Sequence, residues 1–169
     1  LNLAFNIAVN VAKKEKVPVA IFSLEMSKKY IYNNFIKSDL LDTILIDDTP
    51  GISIENIRKK CIRLRQEKNI GLVVIDYLQL ISIEEKASRE QELSNIGILL
   101  KKLAEELKIP ILITSQLSKG PERRHKEGQD PKPKLEDLGY SSEIIKYTDT
   151  ILLLYRDECY YQNSNKRNV

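Results

Sequence analysis

Three polar side chains, those of Glu25, Asp76 and Gln116, are of the types that a nucleotide-hydrolysing site needs. Each lies at or just after the end of an apolar run with the composition of a buried strand. One carboxylate can hold Mg²⁺ against phosphates, a second can orient the attacking water, and an amide can sense the terminal phosphate. Polar residues end most strands, so one alone carries little weight. Three together favour a hydrolytic site if the strands are parallel and share one edge.

The run that ends at Asp76 gives the clearest strand pattern in the sequence. Residues 71–75 are a glycine followed by four aliphatic residues, and so continuous a run predicts burial on both faces of a parallel sheet. In open α/β sheets, ligands bind at the carboxyl edge, which is where Asp76 would emerge. An ordinary turn aspartate would produce the same local pattern, so this strand alone leaves both interpretations open.

Helical and strand patterns alternate along the chain. The predicted strands are 17–24, 43–46, 71–76, 111–114 and 149–155. The predicted helices are 1–14, 27–41, 54–68, the segment between Ser88 and Pro110, and 144–148. This order predicts right-handed crossovers, and therefore a mostly parallel sheet flanked by helices in a three-layer α/β fold.

Composition and charge narrow the class of protein. The 169 residues suit one core-bearing domain, and no apolar run approaches the length of a membrane span, so no membrane partner is expected. The net charge of +3 is too small to prove a polyanionic partner. Cys61 and Cys159 are isolated and His125 is the only histidine, which argues against a disulfide framework, a His-ligated metal or a His-based triad. A reducing, cytoplasmic location fits this cysteine usage.

A basic segment, residues 119–134, is predicted to be a long loop. It holds six basic residues, three acidic residues and three prolines. Charge runs of this kind are usually solvated, and the residues alone favour that interpretation.

Five short motifs occur in order along the chain. They are Ser23-Leu24-Glu25-Met26, Ile46-Asp47-Asp48-Thr49-Pro50-Gly51, Ile75-Asp76-Tyr77-Leu78-Gln79-Leu80, Ser115-Gln116-Leu117-Ser118 and Tyr155-Arg156-Asp157-Glu158. Together they resemble the C-terminal motor domain of the DnaB-type replicative DNA helicases over nearly the whole chain. The resemblance implies a single RecA-like ATPase domain over residues 1–169, ring-shaped homo-hexamers, and ATP-driven 5′ to 3′ translocation on single-stranded DNA. It also implies a primase and a helicase loader as partners.

The resemblance assigns roles to individual residues. Asp76 matches the acid that holds Mg²⁺, and Glu25 matches the glutamate that activates the attacking water. Gln116 matches the residue that couples the state of the γ-phosphate of ATP to the DNA-contacting loops. Arg156, in the last motif, is assigned to nucleotide binding, and Arg167 is a candidate arginine finger for the neighbouring subunit.

Two segments, 82–90 and 119–134, occupy the positions of the family's two pore loops. The residues that the resemblance assigns to DNA contact are Arg89, Lys119, Arg123, Arg124 and Lys126. Their charge suits a groove that follows a phosphate backbone, so the resemblance favours DNA contact over a plain solvated loop.

The sequence departs from the family pattern in several places. The glycine-rich phosphate loop with its GK[ST] signature is absent, although residues 1–8 resemble the helix that directly follows it. The span 27–45 is shorter than the family's, and Lys119 replaces an arginine, keeping the charge but not the bidentate fork. Of the family's acidic run only Asp149 remains, and the strand that should precede residues 166–169 is missing.

Two explanations of these gaps are open: a fragment or a sequence with segments left out, and a degenerate, inactive relative. The retained site residues at three strand ends favour the first. The chain starts without Met in a helical pattern, which fits an N-terminus farther upstream, and we expect little ATPase activity from these 169 residues alone. Two alternative functions are a RecA-like recombinase or clock-type ATPase, which the Tyr77-Leu78-Gln79-Leu80 continuation disfavours, and an inactive DNA-binding or assembly module.

Overall fold

A parallel sheet of four strands, in the order β2-β1-β3-β4, forms the centre of the molecule in a computed structural model that describes residues 2–36, 38–83 and 88–161. The strands are Val19–Ser23 (β1), Ile44–Asp47 (β2), Leu72–Asp76 (β3) and Ile111–Ile113 (β4). All three neighbouring pairs are parallel, as the alternation of helices and strands predicts.

Helices connect the strands and cover both faces of the sheet. They are Asn2–Lys14 (α1), Lys28–Phe35 (α2), Ile54–Lys68 (α3), Arg89–Leu107 (α4) and Gly120–Lys126 (α5). Short 3-10 segments are Ser38–Leu40, Leu78–Leu80, Leu135–Tyr147 and Asp157–Cys159. Ser53 caps α3, and Ser88 with Gln91 forms a capping box at the start of α4. None of the helices in the described ranges has the length and hydropathy of a membrane span.

Alternate residues of β1 and β3 enter two separate cores. On one face Phe22 and Ile75 pack in the same apolar cluster as Leu100 of α4. On the other face Ile21 shares a cluster with Phe5 of α1. Every residue of β1 and β3 is buried, because both faces of these strands are covered. This is why the two runs are continuously apolar rather than alternating.

The prediction of a strand over residues 149–155 is wrong. The structure assigns no strand there, and Leu152 and Leu154 are 65% and 61% exposed. The outer edges of β2 and β4 have no strand partner among the described residues, so residues 149–155 pair with neither. Strand-like composition is therefore not sufficient here, because a strand forms only where its backbone pairs with a neighbour.

Two neighbouring predictions also change. The long loop predicted over residues 119–134 contains a helix, α5. The helical stretch predicted over residues 144–148 is the end of a longer 3-10 segment, Leu135–Tyr147, which is kinked at Gly139 with a φ of 56°. Both differences affect the candidate DNA-contacting region.

Candidate active site

The carboxyl ends of the strands bring Glu25, Asp76 and Gln116 to one edge of the sheet. Ser23, the last residue of β1, lies opposite Asp76, the last residue of β3. Because β1, β3 and β4 are adjacent and parallel, the segments that leave them emerge side by side. Edges of this kind are where α/β sheets bind ligands.

Asp76 is a buried carboxylate with one oxygen left without a partner. Its side chain is 1% exposed, and Oδ1 accepts a hydrogen bond of 2.5 Å from Oγ1 of Thr114. Oδ2 is buried and has no hydrogen-bond partner among the described residues. A buried charge needs compensation, and carboxylate oxygens are preferred ligands of Mg²⁺, so this oxygen fits a divalent cation.

A cation at Asp76 would need ligands from outside the protein. No group of three His, Cys, Asp or Glu side chains in the described part of the chain could hold a metal ion. Mg²⁺ in nucleotide sites keeps several waters and binds phosphate oxygens besides one or two carboxylates, so a single acid is sufficient.

Glu25 lies in a turn that the hydroxyl of Ser23 closes. That hydroxyl donates to the backbone oxygen of Met26 at 2.8 Å and accepts from its backbone nitrogen at 3.3 Å. Leu24 is fixed to β3, since its backbone nitrogen donates to the backbone oxygen of Asp76 at 2.7 Å. The turn therefore holds the exposed carboxylate of Glu25 next to the end of β3, where it can meet water.

Gln79 fixes the backbone around Gln116, a contact that the sequence reasoning missed. Nε2 of Gln79 donates to Oγ of Ser115 at 2.9 Å and to the backbone oxygen of Gln116 at 3.3 Å. Oε1 of Gln79 accepts from the backbone nitrogen of Gln116 at 3.3 Å. The Gln116 side chain stays exposed. The only sequence feature that pointed to this contact was the amide residue, Gln79, that follows the carboxylate at the end of β3.

Arg89 is already engaged by neighbouring groups. Its Nη1 lies 2.7 Å from Oε2 of Glu92, and its Nη2 donates to the backbone oxygen of Gln79 at 2.7 Å. Its side chain remains 38% exposed. Arg89 thus joins the start of α4 to the segment that contacts Gln116. Part of the first candidate pore loop, residues 84–87, lies outside the described residues.

Three candidate DNA-contacting cations share one face of α5. Lys119, at the N-cap, Arg123 and Lys126 are spaced by four and three residues, and such residues are neighbours on a helix surface. All three are exposed, and none of them forms an ion pair within the described ranges. We call this surface, formed by Lys119, Arg123 and Lys126, the cationic face.

Arg124, which the resemblance also assigns to DNA contact, differs from the cationic face because its guanidinium is buried. Arg124 is 8% exposed and donates to both carboxylate oxygens of Asp137, at 2.8 and 2.6 Å. The bond from Arg124 lowers the pKa of Asp137 below its ordinary value. The sequence does not distinguish Arg124 from the other basic residues of this region. Since the region is predicted as a loop, nothing assigns Arg124 to the inward face of a helix. Asp137 was not identified from the sequence.

Aromatic rings cover another side of α5. The ring of His125 lies 5.4 Å from the rings of both Tyr160 and Tyr161, edge on, and Tyr155 stacks on Tyr160 at 5.6 Å. Next to this cluster, Arg156 has a mostly exposed side chain, 3.4 Å from Glu158. Arg167, the candidate finger, lies outside the described residues.

A cavity of about 570 Å³ lies elsewhere, between α3 and α4. Its lining includes Arg58 and Glu106, which are paired at 2.8 Å. Glu25, Asp76 and Gln116 do not line it, so the carboxyl edge of the sheet remains the better candidate for catalysis.

Comparison with known proteins points to one family. Residues 38–169 match the DnaB-like helicase C-terminal domain. The chain is 40% identical to the replicative DNA helicase DnaB of Geobacillus stearothermophilus and 38% identical to the replicative DNA helicase DnaC of Bacillus subtilis. Each comparison covers 98% of the chain but 42% of the relative, so the chain spans less than half the length of these proteins.

Solved structures give the same picture. A protein solved as an isolated ATPase domain superposes with a TM-score of 0.82 at 29% identity, over 99% of this chain and 69% of that one. A DnaB-like replicative helicase, described with its interactions with primase, superposes with a TM-score of 0.79 at 29% identity. The superposition covers 99% of this chain and 47% of that one. A KaiC-like protein of Pyrococcus horikoshii, at 17% identity and a TM-score of 0.54, shares the fold alone. These likenesses confirm the prediction of a RecA-like fold.

Proposed function

Because the chain belongs to the DnaB-like helicase C-terminal domain family, we propose that residues 1–169 form a single RecA-like motor domain of a replicative DNA helicase. In this proposal, ATP hydrolysis drives movement on single-stranded DNA and unwinding of the duplex. The observation that carries the proposal is Oδ2 of Asp76 at the carboxyl edge of the sheet, which has no hydrogen-bond partner in the described part of the chain. A buried, uncompensated carboxylate oxygen has no structural use there but is suited to a cation on a nucleotide.

The three residues at this edge divide the chemistry between them. Asp76 would hold Mg²⁺, which when bound supplies positive charge against the nucleotide phosphates. Glu25 takes a proton from the attacking water, for which an exposed carboxylate on a fixed turn is suited. Gln116 responds to the terminal phosphate through its exposed amide. Arg156 contributes to nucleotide binding, and Arg167 acts as the finger toward a neighbouring subunit.

DNA contact is assigned to the cationic face, with Arg89 at the first candidate loop. Cations without ion-pair partners are available to phosphates, and the cationic face supplies three, close together on one helix, that pair with no described residue. Arg89 touches the backbone of Gln79, whose side chain holds the backbone of Gln116. This contact supports a physical link between the nucleotide edge and the DNA-contacting region.

We further propose a cytoplasmic homo-hexamer that works with a primase and a helicase loader. The support is the family and the DnaB-like relative whose structure is described with primase interactions. A ring would place the motor domains around a strand and would let residues from one subunit reach the nucleotide of the next.

The test is DNA-stimulated ATP hydrolysis by the natural protein that carries this chain. Glu25→Gln should lower the turnover rate at least about 100-fold while ATP binding is kept, since it removes the base but no binding group. Glu67→Gln, which changes an exposed acid on α3, is the matched control and should hydrolyse ATP at the wild-type rate.

Two results would count against the proposal. If the wild-type protein binds single-stranded DNA but hydrolyses no ATP, the protein is an inactive binding or assembly module. If Glu25→Gln hydrolyses ATP at the wild-type rate, Glu25 is not the base.

A further inference from the structure

We infer that Arg124 and Asp137 are a positioning pair that fixes α5. Because of this pair, the cationic face is already ordered before it meets a phosphate backbone. The inference rests on the proposed function, because it assumes that the cationic face binds DNA. Neither residue of the pair touches the DNA itself in this account.

Arg124 joins α5 to the segment that follows it in the chain. Besides its two bonds to Asp137, its Nε donates to the backbone oxygen of Asp130 at 3.2 Å, and its Nη2 to that of Lys132 at 2.9 Å. These four bonds close residues 124–137 into one folded unit. A basic segment that the sequence predicts as a solvated loop is thereby given a fixed shape.

Asp137 accepts hydrogen bonds from other groups besides Arg124. Its Oδ2 accepts from the backbone nitrogen of Lys134 at 2.7 Å, and its backbone oxygen accepts from the backbone nitrogen of Ser118 at 2.6 Å. Asp137 is 2% exposed. It therefore ties together the chain before α5 and the chain after it.

Gly120 shows how closely the pair is packed. A Cβ placed on Gly120 would lie 2.1 Å from Oδ1 of Asp137 and 3.2 Å from Nη1 of Arg124. No larger residue fits at position 120 unless the pair moves. The start of α5 is thus held directly against the carboxylate.

The arrangement separates the basic residues of this region by helix face. Gly120, Pro121 and Arg124 are buried, while Lys119, Arg123 and Lys126 are exposed. A shift that moved the buried positions from Gly120, Pro121 and Arg124 to the residue before each would bury Lys119 and Arg123 and release Arg124. Since ordering a flexible segment costs free energy at the moment of binding, a prefolded cationic face binds more tightly than the same cations on a loose loop.

The test compares two opposite electrostatic expectations for Asp137→Asn. If this region were only a charged loop, loss of an acid would strengthen binding to a polyanion. If the pair positions α5, the same substitution weakens binding, because the bidentate bond is lost. Glu136→Gln is the matched control, since Glu136 is an adjacent, 70% exposed acid that lies 3.9 Å from Arg124.

The measurement is the affinity of the natural protein for a fluorescent oligothymidylate at several salt concentrations, together with ATPase activity without DNA. We expect Asp137→Asn and Arg124→Lys each to weaken DNA binding about tenfold. The double variant should be no weaker than either single variant, because the pair acts as a unit. ATPase activity without DNA should not change, and Glu136→Gln should bind DNA at least as tightly as the wild type.

Gly120→Ala gives a second test that alters no charge. Its Cβ should displace the carboxylate of Asp137 and weaken DNA binding as well. Wild-type or stronger DNA binding by Asp137→Asn, or by Gly120→Ala if Asp137→Asn does not fold, would overturn the inference.

Trypsin cleavage after Arg123 and Lys126 separates this inference from the proposed function. Faster cleavage in Asp137→Asn, measured without DNA, is expected if the pair fixes α5. If cleavage accelerates but the wild-type protein binds no DNA, the proposed function fails and the positioning role for DNA fails with it. If the wild type binds DNA and Asp137→Asn leaves affinity and cleavage unchanged, only the inference fails.

Discussion

Asp76 and Arg124 are both buried charged side chains, but their surroundings differ in kind. Arg124 donates four hydrogen bonds and meets a carboxylate, so its charge is compensated inside the protein. Asp76 has one oxygen bonded to Thr114 and one buried without a described partner. A compensated buried charge indicates a structural role, whereas an uncompensated one indicates a group that acts on something else.

The Arg124–Asp137 pair should make stability depend on acid pH. Arg124 holds the pKa of Asp137 below its ordinary value. The stabilisation is therefore complete above the pKa of Asp137 in the unfolded chain, about 3.9, and is lost as the pH falls through the lower pKa of the folded state. The free energy of unfolding should differ between wild type and Asp137→Asn at pH 6, and the difference should shrink below pH 4.

Denaturant unfolding at a series of pH values would measure this difference. Glu136→Gln is again the control, since its difference from the wild type should show no comparable change between pH 6 and pH 2. A difference between wild type and Asp137→Asn that stays constant down to pH 2 would mean that the pair does not couple protonation to folding.

At the scale of elements, the sequence identifies the strands that have both faces covered. The runs of β1 and β3 are continuously apolar because α1 and α3–α4 bury opposite sides of them. Helix α5 was missed because its seven residues include one buried proline, one buried glycine, three basic residues and a histidine, a composition typical of a loop. The bonds from Arg124 to Asp137 fasten this helix to a segment outside it, and no local pattern contains such a contact.

Helix α4 approaches the 3-10 segment Leu135–Tyr147 closely at Gly97. A Cβ on Gly97 would lie 2.8 Å from Cδ2 of Tyr147 and 3.1 Å from Cγ1 of Ile144. Alanine in place of glycine inside a helix normally stabilises by roughly 0.5–1 kcal/mol. Here we expect Gly97→Ala to destabilise by about 1–3 kcal/mol, because the added methyl group overpacks the contact.

Chemical unfolding of Gly97→Ala measures the effect, and Tyr147→Ala supplies the control background. When the tyrosine ring is absent, Gly97→Ala should lose most of its penalty, since the nearest clash is removed. If Gly97→Ala stabilises the wild-type protein, the two segments do not approach as closely as the structure shows.

For the whole molecule, protection of backbone amides from hydrogen exchange should fall from the centre of the sheet toward residues 149–155. β1 and β3 are buried on both faces and paired on both edges. No backbone amide of residues 149–155 donates to another described residue, and Leu152 and Leu154 are exposed. Hydrogen exchange should therefore be slowest in β1 and β3 and fast in residues 149–155.

Exchange measured by mass spectrometry distinguishes this structure from the sequence prediction. Slow exchange over residues 149–155 would mean that they pair as a strand after all, as their composition indicates. The same experiment measures exchange in β4, the outer strand of the sheet. Among the described strands, only β3 pairs with it.

The candidate active site was predictable to the extent that strand ends and sheet topology determine it. Parallel pairing alone brings Glu25, Asp76 and Gln116 to one edge, and strand patterns predict that pairing. The contacts that hold these residues come from Ser23, Gln79 and Thr114, whose partners are distant in sequence or depend on turn geometry. Such contacts follow from the fold and leave no periodic signal.

The oxygen of Asp76 that no described residue contacts by a hydrogen bond also bears on how this protein can change over evolutionary time. A buried charge without compensation destabilises the folded state, so substitutions that fill or neutralise this position are available routes to a more robust protein. Under the proposed function, loss of turnover is what would select against such substitutions. In a lineage that stopped needing hydrolysis, we therefore expect Asp76 to be among the first residues of the sheet to drift, well before its apolar neighbours in β3.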